Sequence, residues 1–325
     1  MKKTSIYIFL AALMYIGFSC EKVIEMDIED TKIRIVANSF IEPDSTITVN
    51  VTRSRHILDN ADILPLSDAE VKLYDDGIFI GTLTYTNNGN YYINYIPEEG
   101  HEYKIEVNHN SYDNVYAQTS IPYPAIINNI DTIKTYSEYG DEIYNLYVNF
   151  NDPENIQNFY YIKAKVKYQY EEWDPDIPIY YTVTVGDTTY IYVEYGGYVY
   201  TEYIDELYLE SDDIIIETEH PNGGLIFSDE LIEGTDYTLR TSFYSWSLWS
   251  DTNMVYIDLY SINRDYYNYV KSYEQHRNSS EDPFAQPVNV YTNIVNGIGI
   301  FGASSKIERD SILIIGGNGG HVYID

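Results

Sequence analysis

The stretch Thr46-Ile-Thr-Val-Asn-Val-Thr52 alternates polar and apolar residues, and Glu102-Tyr-Lys-Ile-Glu-Val107 repeats the pattern. Successive side chains of a β-strand point to opposite faces of the sheet, so a period of two predicts strands with one buried face. Asp76-Gly77 and Asn88-Gly89 separate such runs, and these dipeptides accept the positive φ values that tight hairpin turns require. Residues 33–122 therefore predict an immunoglobulin-like or transthyretin-like sandwich of about seven strands.

The rest of the chain predicts a larger antiparallel β domain with one short helix, so the predicted fold class is mainly β. Pro122-Tyr-Pro124 sets the predicted boundary, because proline cannot donate to a sheet ladder and restricts the residue before it. The predicted domains are residues 33–124 and 125–325. The helix is predicted from an apolar stripe at i, i+3, i+4 and i+7, capped by Asn263. The stripe consists of Tyr266, Tyr269, Val270 and Tyr273. Further strands are predicted at 146–150, 160–170, 179–185, 190–194, 198–204, 214–218, 237–243 and 254–261.

The N-terminus has the pattern of a secretory signal. Lys2 and Lys3 precede an apolar run over residues 6–16, and Gly17-Phe-Ser-Cys20 follows. Residues 1–19 are therefore predicted to be a signal peptide, too short for a stable membrane span. Cys20 is the only cysteine of the chain, and we expect it to be acylated as the first residue of a bacterial lipoprotein. Residues 20–32 then form a lipidated tether. The alternative is an ordinary signal peptide with a cysteine nearby by chance.

The charge of the chain argues against nucleic-acid partners. The formal net charge is −32, and like charges repel, so phosphate backbones and anionic membrane surfaces are disfavoured. The six histidines are scattered, and no His-Glu-x-x-His, Gly-x-Ser-x-Gly or phosphate-binding loop is present. Gly297-Ile-Gly-Ile-Phe-Gly302 has glycine spacing close to that of a dinucleotide loop, but it lies among strands and predicts a bulge or tight packing. We therefore expect neither an enzyme nor a cofactor.

Aromatic residues supply the predicted binding surface. The chain contains 38 tyrosines. We predict three strands turned by Gly186-Asp187 and Gly196-Gly197. In that arrangement Tyr190 and Tyr192 share one face, with Tyr198 and Tyr200 near them across a hairpin. Trp246 and Trp249 form a second aromatic patch on a predicted loop. Exposed aromatic strands can hold a sugar, a peptide or a partner protein. The alternative is core packing or sheet stabilisation.

Charged residues around Trp173 supply a weak metal candidate. Glu171, Glu172, Asp174 and Asp176 fall within six residues in a predicted loop, and such oxygen ligands can hold calcium. The alternative is a solvated acidic hairpin tip. Lys163, Lys165 and Lys167 line one face of a predicted strand, where we expect them to pair with neighbouring carboxylates.

Several segments resemble a known family. They are Cys20-Glu-Lys-Val-Ile-Glu25, Ile33-Arg-Ile-Val-Ala37, Leu66-Ser-Asp-Ala-Glu-Val-Lys-Leu-Tyr-Asp-Asp-Gly77, Gly89-Asn-Tyr-Tyr92, Phe227-Ser-Asp-Glu-Leu231, Asp282-Pro-Phe-Ala-Gln-Pro-Val288 and Asn293-Ile-Val-Asn-Gly-Ile-Gly-Ile-Phe-Gly-Ala303. Together they resemble the Bacteroidota lipoproteins known as domain of unknown function 4249. The resemblance implies an outer-membrane lipoprotein, at the cell surface or on the periplasmic face, often associated with a TonB-dependent transporter. It supplies no catalytic residue.

Two functions from different classes follow as expectations. The first is a non-enzymatic ligand-binding or structural accessory subunit of a TonB-dependent nutrient uptake system, anchored to the membrane through the lipid on Cys20. Its small-molecule, glycan or peptide ligand is left open. The second is a surface adhesin or cell-envelope structural protein that binds through exposed aromatic strands. A hydrolase is the third and least favoured alternative.

Overall fold

A computed structural model describes residues 32–56, 62–186, 188–219, 223–248, 252–280, 285–286, 288–306, 310–315 and 322–324. This part of the chain is mainly β, as predicted. The strands are β1 Ile35–Ile41, β2 Ile47–Arg53, β3 Glu70–Asp75, β4 Ile78–Thr82, β5 Thr84–Tyr85, β6 Asn90–Ile93, β7 Glu102–Asn108, β8 Val115–Ser120, β9 Ile126–Tyr136, β10 Glu142–Asn151, β11 Phe159–Val185, β12 Thr188–Leu207, β13 Ile216–Glu219, β14 Leu225–Ser228, β15 Asp236–Tyr244, β16 Thr252–Ile262, β17 Ile298–Ser305, β18 Asp310–Ile315 and β19 Val322–Ile324. Helix α1 spans Arg264–Ser280, and Ser245–Ser247 form a 3-10 turn.

The N-terminal strands enclose one hydrophobic core between two sheets. One sheet has the order β4-β3-β7-β8, and the other contains β1, β2, β6 and β5 in that order. Alternate residues of β2 and β7 are buried, including Val49 and Ile105, which confirms the period-two prediction. Asp76 and Gly77 both have positive φ values, and they join Asp75 to its pairing partner Ile78 as a two-residue turn. The resemblance of this unit to immunoglobulin or transthyretin domains stays a prediction.

A strand from near the C-terminus, β17, lies between β1 of the N-terminal sheet and β16 and pairs with both. β17 runs parallel to β1, with Ala37 opposite Gly299 and Ile41 opposite Ala303. Gly299 has a φ of +117°, and a Cβ atom there would lie 2.1 Å from the carbonyl oxygen of Ala37. Only glycine fits so close to a neighbouring backbone. This observation confirms tight packing as the reason for the glycine-rich segment.

A second core lies beneath β9, β10 and β15. These strands form a three-stranded sheet, and their buried side chains pack with those of β11, β14, β16 and β18. Ile121 belongs to the first core and Ala125 to the second, so the core changes beside the predicted boundary at Pro122-Tyr-Pro124. Ile294, Phe301 and Ala303 nevertheless pack in the first core. The division into domains at residue 124 stays a prediction.

Helix α1 begins as predicted at Asn263. The Asn263 side-chain oxygen accepts a hydrogen bond from the Tyr266 backbone N–H at 3.0 Å, which satisfies one of the free donors of the first turn. Val270 is buried and Tyr266 and Tyr269 are partly buried against a small core that includes Phe159. Tyr267 is not part of the predicted stripe, yet it is buried more deeply than the tyrosines of that stripe.

Candidate functional site

Strands β11 and β12 extend beyond the rest of the protein as a two-stranded ribbon. β11 pairs with β16 only as far as Tyr168, opposite Asn253. β12 pairs with β11 along its length, from Thr188 to Leu207, and with no other strand in the described chain. From residue 169 to residue 202 the two strands therefore pair only with each other. We call this segment, residues 169–202, the ribbon. At about 3.3 Å per residue it is roughly 55 Å long.

The predicted turn at Gly196-Gly197 is wrong. β12 continues through both glycines, and the irregularity lies opposite them, where the pairing moves from Asp174 to Pro178. Gly196 has a φ of +114°, and a Cβ atom there would lie 2.3 Å from the Trp173 ring. The glycine thus makes room for an indole instead of reversing the chain. The other predicted turn, after Val185, is confirmed at Gly186, while Asp187 lies outside the described residues.

The four predicted tyrosines are exposed, but their arrangement differs from the prediction. All four lie on β12, so Tyr198 and Tyr200 follow Tyr190 and Tyr192 along one strand instead of facing them across a hairpin. Across the ribbon, Tyr190 pairs with Val183 and Tyr192 with Tyr181. The exposed fractions are 49% for Tyr190, 54% for Tyr192 and 62% for both Tyr198 and Tyr200. Packing in a core therefore does not explain why tyrosine occupies these four positions.

Further exposed apolar residues cover both faces of the ribbon. They are Trp173, Tyr180, Tyr181, Val183, Val185, Ile191, Val193, Tyr195 and Val199. An isolated two-stranded hairpin is marginally stable in water, and exposed apolar patches of this extent mark interaction surfaces. Alternation alone did not identify these residues, because it predicts one buried face for each strand. The ribbon has the composition of an interface on both faces.

The ribbon carries acidic residues and no basic ones. Between Lys167 and His220 the sequence contains no Lys, Arg or His. Glu194 is exposed on β12, and Glu171 accepts a hydrogen bond from the Tyr200 hydroxyl, which raises the pKa of Tyr200. Among the described residues, the ion pair with a ribbon carboxylate lies at the base, where Lys167 is 2.8 Å from Glu202. Any partner of the ribbon therefore meets negative charge beside aromatic rings.

The loop predicted around Trp173 is also wrong, because β11 runs through it. Side chains alternate between faces along a strand, so Glu171 and Glu172 point in opposite directions. Asp174 accepts a hydrogen bond from the backbone N–H of Asp176 at 2.9 Å, and Glu172 accepts one from the Tyr203 hydroxyl. Among the described residues, these four carboxylates do not converge within metal-ligand distance of one another. The strand separates the ligands that a calcium ion would need together.

The second predicted aromatic patch is described only in part. Trp246 lies in the 3-10 turn instead of an irregular loop, and its ring stacks on Tyr244 at a centroid distance of 5.7 Å. It is 67% exposed. Trp249 lies outside the described residues, so the pair predicted from the sequence stays a prediction.

The lysine row at the base of the ribbon is confirmed for two of its three members. Lys165 lies 3.5 Å from Glu206, and Lys167 pairs with Glu202. Lys163 differs, because its ammonium lies 4.4 Å from the centre of the Tyr161 ring and 5.4 Å from that of Tyr260. Burial there lowers the pKa of Lys163. Ring faces thus replace the carboxylate partner that was predicted for Lys163.

A histidine–carboxylate group in the N-terminal unit was missed by the sequence analysis. His101 Nδ1 lies 2.9 Å from Asp75 and 3.7 Å from Asp76, and the Tyr95 hydroxyl donates to Asp75 at 2.5 Å. The hydrogen bond to Asp75 raises the pKa of His101. Together Asp75, Asp76 and His101 offer three potential metal ligands. β3 ends at Asp75 and β7 begins at Glu102, directly after His101. Because these two strands pair, Asp75, Asp76 and His101 come together. Correct pairing of the two predicted strands would have indicated this group.

A polar groove of about 550 Å³ lies beside the three-stranded sheet. Asn145 and Tyr147 of β10, Arg240 of β15 and Asp212 line it. Amide, carboxylate and guanidinium groups beside a phenol ring can bind a hydroxyl-rich small molecule. No local sequence pattern indicates the groove, because its walls come from three separate segments.

A family profile described as domain of unknown function (DUF4249) matches residues 21–310. The chain belongs to this family. The match includes the quoted segments from Ile33 to Ala303 and so confirms the resemblance seen in the sequence. A search of curated proteins found no match.

The N-terminal predictions for this DUF4249 protein fall outside the described residues. They concern Cys20, the signal peptide over residues 1–19 and nearly all of the tether. In the part of the chain that the structure does describe, no helix is long and apolar enough to cross a membrane.

Proposed function

We propose that this DUF4249 protein is a lipid-anchored accessory subunit of a TonB-dependent uptake system in the bacterial outer membrane. In this proposal the lipid on Cys20 holds the chain at the membrane, and the ribbon docks onto the transporter. The protein contributes binding and no catalytic chemistry. The N-terminal sequence and the association implied by the family resemblance support the location and the partner.

The exposed aromatic ribbon is the observation that carries the binding role. Tyrosine and tryptophan dominate the binding energy of protein interfaces, because their rings bury a large area at a small entropic cost. The ribbon presents such rings on both faces and is not covered by another described segment. A length of roughly 55 Å lets it reach a neighbouring membrane protein while the two cores stay apart from that contact.

Removal of the ribbon tests the proposal. Gln169 pairs with Glu202, so replacing residues 170–201 by Asn-Gly closes the hairpin at that pair with a favourable two-residue turn. We expect this variant to stay in the membrane fraction and to lose the transporter when the native lipoprotein is purified after mild solubilisation. The matched control is Tyr139→Ala, which removes a 92% exposed aromatic ring from the turn between β9 and β10 and should retain the transporter.

Recovery of the transporter at wild-type level with the ribbon-less variant would contradict the proposal. Circular dichroism and thermal unfolding of that variant should first show that both cores remain folded. Without this control, loss of the transporter would not be attributable to the ribbon.

The exposed apolar residues on both ribbon faces also favour a second candidate, a surface adhesin. The two candidates differ in the outcome of the same deletion. An adhesin without its ribbon loses attachment of cells to surfaces or to one another, and no transporter purifies with the wild-type protein.

A further inference from the structure

We propose that the free edge of β12 receives an extended, Lys- or Arg-bearing segment of a partner protein as an added β-strand. This inference rests on the proposed function, since it names the chemistry of the partner that docks on the ribbon. The contact is edge pairing by the backbone, with side chains selecting for a cationic and apolar strand.

The edge of β12 is unusually open to an added strand. Natural edge strands are blunted by proline, by lysine, by bulges or by short length. β12 contains neither proline nor lysine, and its residues Thr188–Tyr195 pair with β11 without a register shift, before the irregularity at Gly196. β11 differs, because it contains Pro175 and Pro178, which have no backbone N–H to donate. β12 is therefore the side of the ribbon on which backbone N–H and C=O groups are available for pairing.

The residue types of β12 also favour the addition of a strand at its edge. Tyrosine, threonine, valine and isoleucine make up most of β12, and these residues have high β propensity. Ile191 is 68% exposed and Val193 is 42% exposed on one face, with Tyr190 and Tyr192 on the other. The side chains of an added strand would thus lie beside apolar neighbours on one face of the ribbon and beside aromatic neighbours on the other.

Charge complementarity identifies the occupant. Glu194 follows Tyr192 on the same face, and no cation occurs between Lys167 and His220. Lysine or arginine beside these residues gains both an ion pair and a contact with a ring face. A second copy of the chain is a poor partner for this edge, because pairing two acidic β12 edges would bring like charges together. The fitting segment alternates basic residues with β-branched apolar residues.

A synthetic peptide tests this chemistry on the intact lipoprotein in detergent. The probe is a capped ten-residue peptide of alternating Lys and Val with a fluorescent label, titrated by anisotropy at low salt. We expect it to bind at least about tenfold more tightly than the matched Glu-Val peptide, and to weaken as salt is raised. A Lys-Val peptide N-methylated on every residue keeps the charges but has no N–H to donate on either edge, so it should also lose about tenfold.

Two substitutions on β12 locate the contact. Ile191 is exposed, so Ile191→Lys should leave the fold intact while adding an edge lysine that repels the Lys-Val peptide. Ile191→Thr is the matched control, because threonine keeps the β propensity without a charge. We expect loss of binding with the first and near wild-type binding with the second.

Three outcomes would overturn the inference. They are equal affinity for Lys-Val and Glu-Val peptides, undiminished binding of the N-methylated peptide, and a dimer in sedimentation that Ile191→Lys dissolves. If the Lys-Val peptide fails while ribbon deletion still removes the transporter, only the edge inference fails. If the peptide binds but the ribbon-less variant keeps the transporter, the proposed function fails instead.

Discussion

Asn263→Ala should destabilise the protein strongly, because one side chain joins three elements. Its oxygen accepts hydrogen bonds from the backbone N–H groups of Tyr266 in α1, at 3.0 Å, and of Ala303 in β17, at 3.2 Å. Its amide donates to the Thr119 hydroxyl of β8 at 2.6 Å. Ala303 is fully buried and Thr119 is 4% exposed, so neither group finds water as a replacement partner.

The expected loss follows from these three bonds. An N-cap residue replaced by alanine costs about 1 kcal/mol. A buried donor left without its acceptor costs about 1 to 3 kcal/mol. Since the three bonds share one side chain and do not add fully, we expect a loss of about 3 kcal/mol in the free energy of unfolding.

Urea denaturation followed by tyrosine fluorescence and circular dichroism measures this loss. Asn263→Asp is the matched control, since a carboxylate keeps the two acceptor contacts and the Thr119 hydroxyl can rotate to donate to it. The aspartate variant should lose about 1 kcal/mol or less. A loss below about 0.5 kcal/mol for Asn263→Ala, which is the usual effect of a surface substitution, would refute the assignment of Asn263 as a junction between the cores.

Three further perturbations have defined outcomes. Gly299→Ala should cost several kcal/mol in urea denaturation, because its Cβ would collide with the Ala37 carbonyl at a positive φ, whereas Gly77→Ala, with open space around it, should cost less. His101→Gln should remove stability that the wild type holds below about pH 6.5. Because Asp75 raises the pKa of folded His101, that stability disappears as the pH rises through the folded value, so thermal midpoints of the two proteins should converge above it. A gap that widens with pH would contradict this sign. Cys20→Ala should leave both cores folded and release the protein from salt-washed outer membranes; continued sedimentation with them would argue against acylation.

Local patterns predicted most of the N-terminal half and the start of the helix. The alternation around Val49 and the turn at Asp76-Gly77 are properties of neighbouring residues, and so is the cap at Asn263. By contrast, the parallel pairing of β17 with β1 joins residues about 260 positions apart. Glycine spacing predicted close packing there, but no local pattern names the strand against which Gly299 packs.

The ribbon was mispredicted because glycine and proline have more than one structural use. From the sequence, Gly196-Gly197 predicts a turn, which is a common role of such a pair. In the folded chain the Trp173 ring fills the space that a side chain at Gly196 would occupy, and Pro178 lies at a bulge, where a missing N–H does little harm. The strands can therefore continue through residues that usually end them. The structure shows the four tyrosines exposed, their role in binding stays a prediction, and the length of the surface on which they lie was not predicted.

The acidic residues of the ribbon have two physical consequences: they oppose pairing between identical copies, and they attract a basic strand. A two-stranded ribbon with exposed rings and an open edge is the kind of surface that pairs with identical copies. Glu171, Glu172 and Glu194 oppose that pairing, because every copy carries the same charge at the same place. The same carboxylates attract a basic strand, and no lysine or arginine on the ribbon competes for them. Solubility of the free protein and selection of a cationic partner therefore depend on one set of side chains.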